Sequence, residues 1–267
     1  MLPSIGFLST YVLCITVGFI IAFILNRYLA LRSGQSRKDC WISEALILVS
    51  LILGWFFAAV MQGVYSWIAN PNNGFSLFRG LTFYGGLFGG CICYVCLYRI
   101  IKKSWDESFF RFLTYIPVSI CLVHAFGRLG CFCAGCCYGK PTDSVLGVQF
   151  PRLPEKVWPT QLFESGFLLI LSLFLFILLI KKNNRFNISW YCIGYGVWRF
   201  FIEFLRGDPR GSFVPGLSPS QFWSIVLVCV GFLFLFILSR HYRRTKNIET
   251  NFPFGKPSEN LNAQNLE

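Results

Sequence analysis

Apolar stretches long enough to cross a lipid bilayer recur along this chain, and they constrain its fold more than any other feature. Runs such as 167–180 and 222–238 contain almost no polar side chains. A transmembrane helix needs about 20 predominantly apolar residues, and windows of that length occur from end to end. Charged residues make up 13% of the sequence, against about 25% in soluble domains. The pattern predicts an all-α, polytopic membrane protein and excludes a water-soluble globule.

Hydropathy predicts seven spans. The first span lacks the basic segment that precedes a cleaved signal peptide, so we expect it to be retained as a membrane helix. We expect one transmembrane domain, residues 1–244, and a polar, Asn-rich, disordered cytoplasmic tail, residues 245–267. The predicted spans are about 5–26, 42–64, 79–99, 111–130, 160–180, 187–206 and 219–239.

Basic residues are concentrated in alternate connections and in the tail. These segments are 27–38, 99–111, 181–185 and 240–256, and the net charge of the chain is +12. Because cytoplasmic loops of membrane proteins are enriched in Lys and Arg, we expect the N-terminus outside and the C-terminus in the cytoplasm. The same loops account for the basic balance. Nucleic-acid binding is not expected, since no basic soluble domain is present to carry it.

A polar stripe crosses the sixth span at helical spacing and consists of Tyr195, Arg199, Glu203 and Arg206. An ionisable residue at mid-helix costs about 2.5–3.5 kcal/mol, so the stripe must be paired or line a wet cavity. One interpretation is an Arg199–Glu203 pair that only fixes helix packing. The other is an anion site, in which Glu203 orients an arginine and the guanidiniums bind a phosphate.

The fourth span ends in a second polar segment, 124–139, which includes Arg128, another charge within the membrane. His124 lies one turn before Arg128 on the same face, although a lone helical histidine is more often a packed polar residue than a base. By helical rise Arg128 lies about 25 Å beyond Arg111, in the outer half of the bilayer and at a depth similar to Arg199. The polar residues are thus expected to converge at one level.

Four of the 12 cysteines form the pattern Cys131-x-Cys133-x-x-Cys136-Cys137. Three interpretations stay open: small buried apolar residues, a disulfide or redox pair, and a metal site. A metal is not expected, because a zinc site of the two-pair kind needs a second pair and the nearest one, in 91–96, lies toward the cytoplasmic side.

Five motifs, in this order, resemble the prolipoprotein diacylglyceryl transferase family. The resemblance extends from about Tyr11 to the seventh span and is carried by 11–19, Leu81-Thr-Phe-Tyr-Gly-Gly-Leu87, the Gly127–Gly139 segment, Pro159-Thr-Gln-Leu-Phe-Glu164 and Tyr195-Gly-x-x-Arg-x-x-x-Glu-x-x-Arg206.

The sequence departs from the family pattern at several positions. Tyr84 stands where the family typically has histidine, Cys131 and Ala134 where it has asparagines, and Cys136 where it has glutamate. In the second span, Gly54-Trp-Phe56 replaces the family's Gly-Gly-Arg. The arginines of the motifs are retained, whereas the polar residues around them have changed.

The resemblance implies transfer of the diacylglyceryl group of phosphatidylglycerol to the lipobox cysteine of preprolipoprotein signal peptides, forming a thioether and releasing glycerol phosphate. It implies a bacterial cytoplasmic (inner) membrane location, a site facing the outer leaflet and its membrane lipids, and no cofactor or metal. Alternatives are transfer to another acceptor, a thiol oxidoreductase using Cys133 and Cys136, and a non-catalytic lipid-binding protein.

The resemblance also implies roles for individual residues. Arg128 and Arg199 would clamp the phosphate, Glu203 would hold Arg199, and Tyr84 would be the base, with His124 as the substitute. Taken alone, the glycines after Tyr84 indicate a helix-packing motif of small residues. Residues implied in substrate binding are Tyr11, Gly85, Gly86, Gly130, Cys131, Gly139, Gln161, Tyr195 and Arg206.

Overall fold

The computed structural model describes residues 4–5, 8–77, 80–207 and 216–245. Seven long helices account for most of this part: α1 Thr10–Arg32, α2 Arg37–Ala69, α3 Phe83–Lys102, α4 Glu107–Ala134, α5 Thr160–Lys182, α6 Asn187–Ile202 and α7 Pro219–Thr245. Two antiparallel pairs of very short strands accompany them, β1 Ser4–Ile5 with β2 Leu8–Ser9 and β3 Val148–Gln149 with β4 Lys156–Val157. The predicted tail lies outside the described residues from position 246 onward.

Six of these helices, all except α6, are long and apolar enough to cross a membrane. Large apolar side chains on their outer faces are exposed, for example Ile52 at 68% and Ile170 at 70%, as expected where lipid rather than water surrounds a helix. The all-α, polytopic membrane fold is therefore confirmed. The orientation of the termini stays a prediction.

The sixth span differs from its prediction, because α6 has 16 residues and ends at Ile202. The chain continues as a 3₁₀ turn, Glu203–Leu205, and Arg206 is already extended. A 3₁₀ turn tightens the last turn of a helix and satisfies some of its free carbonyls. The predicted continuous helix to residue 206 is thus wrong at its end, although Arg199 and Glu203 keep their i,i+4 relation.

Other boundaries also differ from the hydropathy windows. The predicted start of the first span at residue 5 is wrong, because the β1–β2 pair precedes α1 and that helix starts at Thr10. The helix α2 is longer than the predicted 42–64 and starts after Ser36, whose hydroxyl accepts a hydrogen bond from the Asp39 backbone amide at 3.1 Å. Hydropathy reports only the apolar part of a helix, whereas backbone hydrogen bonds continue into its polar ends until a cap stops them.

The chain divides into two compact units. The second unit, 35–110, contains α2 and α3, which run antiparallel with their backbones in close approach. A Cβ on Gly54 would lie 2.8 Å from the Gly86 carbonyl oxygen, and a Cβ on Gly85 would lie 3.1 Å from Ala58 Cα. Only glycine allows this packing, which is the typical small-residue contact of membrane helices.

The first unit, 1–34 and 111–267, contains α1, most of α4, and α5 to α7. Buried side chains join its helices by hydrogen bonds to main-chain carbonyls. Ser165 and Ser172 of α5 donate to Ala125 and Val118 of α4 at 3.0 and 2.9 Å. Asn187, at the start of α6, donates to Thr114 and Leu175 carbonyls at 2.9 and 3.1 Å. Because lipid offers no alternative partner, such bonds fix how the helices pack.

Candidate functional site

A buried carboxylate, Glu164 on the second turn of α5, lies at the centre of the polar cluster in the first unit and is 1% exposed. Its Oε1 lies 2.9 Å from Arg128 Nη2 and accepts a hydrogen bond from the Tyr195 hydroxyl at 2.8 Å. Its Oε2 lies 3.8 Å from Arg199 Nη1. One acid thus joins α4, α5 and α6, and it brings the two predicted phosphate-binding arginines to a single group.

The second carboxylate of the cluster is Glu203, in the 3₁₀ turn after α6. Its Oε2 lies 2.7 Å from Arg199 Nη2 and 3.8 Å from Arg206 Nε. Ser218 donates a hydrogen bond to its Oε1 at 3.0 Å, and Arg199 donates another to Ser220 at 2.9 Å. The predicted pairing of Glu203 with Arg199 is therefore present, and the segment that begins α7 reinforces it.

Among the residues that the structure describes, the charges of this cluster do not cancel. Its three arginines face two described glutamates, a formal net charge of +1. Arg199 Nη1 is buried and has no hydrogen-bond partner among the described residues, its ion pair at 3.8 Å being too long for one. Since a buried uncompensated charge is costly, the cluster is suited to a monoanion. Arg128 is the most accessible of the three arginines, its side chain being 15% exposed.

His124 belongs to the same cluster. Its Nε2 lies 3.4 Å from the Tyr195 hydroxyl oxygen and 3.7 Å from Glu164 Oε1. The two rings pack edge to face with centroids 4.8 Å apart. The histidine is therefore adjacent to charged groups, which distinguishes it from the packed polar histidine that is commoner in helices.

Hydrogen bonds hold the connection after α4 against the start of α5 and against the segment that follows α6. Gln161 donates to the Cys136 carbonyl at 2.5 Å, and Thr160 donates to the Cys137 carbonyl at 3.0 Å. Gly139 forms an antiparallel bridge with Arg206, where a Cβ would lie 2.5 Å from the Leu205 carbonyl oxygen. For Gly139 and Gln161, both predicted to bind substrate, these contacts show a role in holding the backbone.

Two more predicted residues, Tyr11 and Gly130, contact each other. A Cβ on Gly130 would lie 3.0 Å from the Tyr11 ring and 3.1 Å from its carbonyl oxygen. The glycine therefore allows α1 to approach α4 directly beside Arg128. The Tyr11 side chain is 37% exposed, so it borders the cluster without being enclosed by it.

The thiols of Cys131, Cys136 and Cys137 gather at the end of α4, with all sulfur atoms within 4.8 Å of one another. Hydrogen bonds from the Cys131 and Cys136 thiols lower the pKa of Cys137, and the positive charges of Arg206 and Arg128 add to this effect. Cys133 is not part of this group, and its thiol hydrogen-bonds that of Cys14 in α1. Cys133 and Cys136 are both free thiols in this structure, and the redox interpretation stays a prediction.

Tyr84, Gly85 and Gly86 lie in the second unit, in the first turn of α3. The Tyr84 side chain is outside the described part of the structure. Gly85 packs on Ala58 and Met61 of α2, which supports the helix-packing interpretation of this segment. The predicted roles of the three residues in catalysis and lipid binding stay predictions.

Glu164 was not among the site residues predicted from the sequence. Its signals were present, since it is an acidic residue in an apolar span and the last residue of the Pro159–Glu164 motif. An intramembrane acid is expected to have a named partner. Ser218 and Ser220 were also missed, and nothing in the pattern of those serines distinguishes them from helix-start residues.

Comparison with known proteins identifies the family of this chain. A family model described as prolipoprotein diacylglyceryl transferase matches residues 2–237. A relative from Clostridium tetani, named phosphatidylglycerol–prolipoprotein diacylglyceryl transferase, is 37% identical over 232 residues, which cover 85% of this chain and 91% of the relative. A relative from Clostridium perfringens, named phosphatidylglycerol–prolipoprotein diacylglyceryl transferase 2, is 34% identical over 84% of this chain and 88% of the relative. A relative from Chlorobaculum tepidum with the same transferase name, without the number, is 36% identical over 80% of each chain. The chain belongs to the prolipoprotein diacylglyceryl transferase family.

Proposed function

We propose that this protein transfers the diacylglyceryl group of phosphatidylglycerol to the lipobox cysteine of preprolipoproteins. The observation that carries the proposal is the convergence of Arg128 and Arg199 on Glu164, within apolar helices, in a cluster of net charge +1. The phosphodiester of phosphatidylglycerol is a lipid-anchored monoanion, which suits such a cluster. The names of the relatives support the same donor and acceptor.

The reaction is a displacement at carbon. The acceptor sulfur attacks the glyceryl CH₂ that bears the phosphate, a C–S bond forms, and the C–O bond breaks. Glycerol phosphate leaves with the bonding electrons, and the thiol proton passes to a base. Arg128, the more accessible guanidinium, receives the phosphate first. Arg199 approaches from the buried side, where fixed cations act most strongly on the charge that develops on the leaving oxygen.

Glu164 is a positioning residue in this proposal, because it contacts both guanidiniums and the Tyr195 hydroxyl. With Glu203 it keeps the cluster from holding three unpaired positive charges before substrate binds. A cluster with fewer acids would be costly to bury, and one with more would repel the phosphate.

Two residues are candidates for the base, Tyr84 and His124. The described contacts support His124 alone, since its Nε2 lies beside Glu164 and Tyr195. An unperturbed tyrosine has a pKa near 10 and is a poor base at neutral pH. We propose His124 as the proton acceptor and keep Tyr84 as the residue to compare with it.

The distribution of charges in the first unit supports a site on the outer side of the bacterial cytoplasmic membrane. Arg128 and Arg199 lie late in α4 and α6, and Glu164 lies early in α5. Basic residues concentrate at the opposite end of α5, at Lys181 and Lys182, and at the C-terminal end of α7, whose first turn contacts the site through Ser220. By the enrichment of Lys and Arg in cytoplasmic loops, the site faces away from the cytoplasm, where exported signal peptides become accessible.

The proposal is tested by in vitro transfer. Purified protein is incubated with phosphatidylglycerol carrying labelled acyl chains and a lipobox peptide, with Arg128→Ala, Arg199→Ala and a peptide whose cysteine is replaced by serine as controls. Label is expected on the cysteine peptide with wild-type protein only. Lipid that binds in an arginine-dependent way, but is never transferred, would contradict the proposal and favour a lipid-binding protein.

A further inference from the structure

The thiols at the end of α4 form a compact group that the proposed reaction does not use. We propose that Cys131, Cys136 and Cys137 form a three-thiolate binding site for a thiophilic d¹⁰ cation such as Zn²⁺. Thiolates are the ligands that Zn²⁺ and Cu⁺ select in proteins. The proposal does not depend on the transfer reaction.

The sulfur positions are close to what a metal requires. All three Sγ atoms lie within 4.8 Å of one another. With Zn–S bonds of about 2.3 Å in tetrahedral geometry, ligand sulfurs are roughly 3.8 Å apart. No sulfur–sulfur separation therefore needs to close by more than about 1 Å, which side-chain rotation can supply. A fourth position remains open to a water molecule.

The backbone turns after α4, so that the Cys136 and Cys137 thiols lie close to the Cys131 thiol. After α4 ends at Ala134, Gly135 adopts a φ of 70° and Cys137 a φ of 64°. The Cys136 amide then donates to the Cys131 carbonyl at 3.1 Å, and the Cys136 thiol also donates to it at 3.6 Å. A left-handed conformation at a residue other than glycine is uncommon and costs free energy, and such residues cluster at functional sites.

The surroundings provide access and charge balance. Cys136 is exposed and the other two thiols are partly exposed, so an ion can reach them. Three thiolates and Zn²⁺ have a net charge of −1. Arg206 and Arg128 both interact electrostatically with Cys137, so the net positive charge of the neighbouring cluster lies next to the thiolates.

From the sequence no metal was expected, because a zinc site of the two-pair kind needs a second cysteine pair at the same depth in the membrane. The third ligand is instead Cys137, adjacent to Cys136, and the turn at Gly135 brings both to Cys131. A bound ion would join the end of α4 to the segment whose carbonyls accept hydrogen bonds from Gln161 and Thr160 at the start of α5.

The test uses the purified full-length protein, reduced with a phosphine and freed of metal. Cd²⁺ is titrated while the thiolate-to-cadmium charge-transfer absorption is recorded, and Zn²⁺ affinity is measured by competition with a chromophoric chelator. The variants are Cys131→Ser, Cys136→Ser and Cys137→Ser. Cys133→Ser, from the same motif, and Cys229→Ser, in α7, are the matched controls.

We expect one ion per wild-type chain, loss of stoichiometric binding in each of the three variants and retention in both controls. Zn²⁺ should raise the Tm of the wild type and not that of the three variants. Metal-free Tm values close to that of the wild type would show that the three variants are folded. Absence of stoichiometric binding by the folded, reduced wild type would overturn the proposal. So would binding that survives any one of the three substitutions, as expected if only two thiols interact.

Discussion

Replacing Glu164 by glutamine tests the organisation of the site most sharply. The amide keeps the shape of the side chain and removes its charge, so the net charge of the cluster rises from +1 to +2 while Arg128 and Arg199 stay buried. Removing one partner of a buried ion pair costs about 3–5 kcal/mol. By the scaling for domains of this size, a loss of about 3 kcal/mol lowers Tm by roughly 6–12 °C.

The loss of activity should exceed what stability explains. A guanidinium displaced by about 1 Å can cost on the order of 10²-fold in rate, so we expect the kcat of Glu164→Gln to fall by at least that factor. Measurements are thermal unfolding in detergent and transfer to a lipobox peptide well below Tm. The matched control is Glu155→Gln, at an exposed glutamate of the β3–β4 region, which should change neither quantity. A Glu164→Gln protein with wild-type Tm and kcat would refute the bridging role of this acid.

Three further predictions concern charge, packing and proton transfer. Arg199→Lys should lower kcat by about 10²–10³-fold, because one ammonium cannot make the separate contacts of Nη1 and Nη2. An equal loss of kcat with a donor lipid that carries no net charge would argue against phosphate recognition. Gly130→Ala should destabilise the protein by about 1–3 kcal/mol, because the new methyl group would force α1 away from α4. Gly127→Ala should be tolerated, because its Cβ would have its nearest neighbour at 4.0 Å, and unfolding measurements on both variants will check this. His124→Gln should lower kcat much more than Tyr84→Phe does, as transfer assays on the two variants will check; the opposite result would assign the base to Tyr84.

Much of the fold follows from elementary properties of the chain. Apolar stretches of about 20 residues have few alternatives to membrane helices, because lipid leaves no partner for unpaired backbone groups. The polar stripe of α6 could be predicted for a similar reason. Arg199 and Glu203 are four residues apart, and this local spacing brings them together wherever the helix lies.

What could not be predicted depends on contacts between segments distant in sequence. Nothing in the local pattern of α5 shows that Glu164 would face Arg128 and Arg199 at once, because that arrangement depends on how three helices pack. The thiol group was missed for another reason. A left-handed conformation at Cys137 is rare for residues other than glycine, so the spacing of the cysteines did not indicate that the chain turns back on α4.

The central claim is that an acceptor sulfur displaces phosphate at carbon in a site held by Arg128 and Arg199. It is tested most directly by measuring both products of one reaction, the lipid-modified peptide by mass spectrometry and the released glycerol phosphate by enzymatic assay. The account predicts equimolar amounts, a thioether at the lipobox cysteine, and loss of both products in Arg128→Ala and Arg199→Ala. Peptide modified by single acyl chains, or lipid consumed without release of glycerol phosphate, would contradict it.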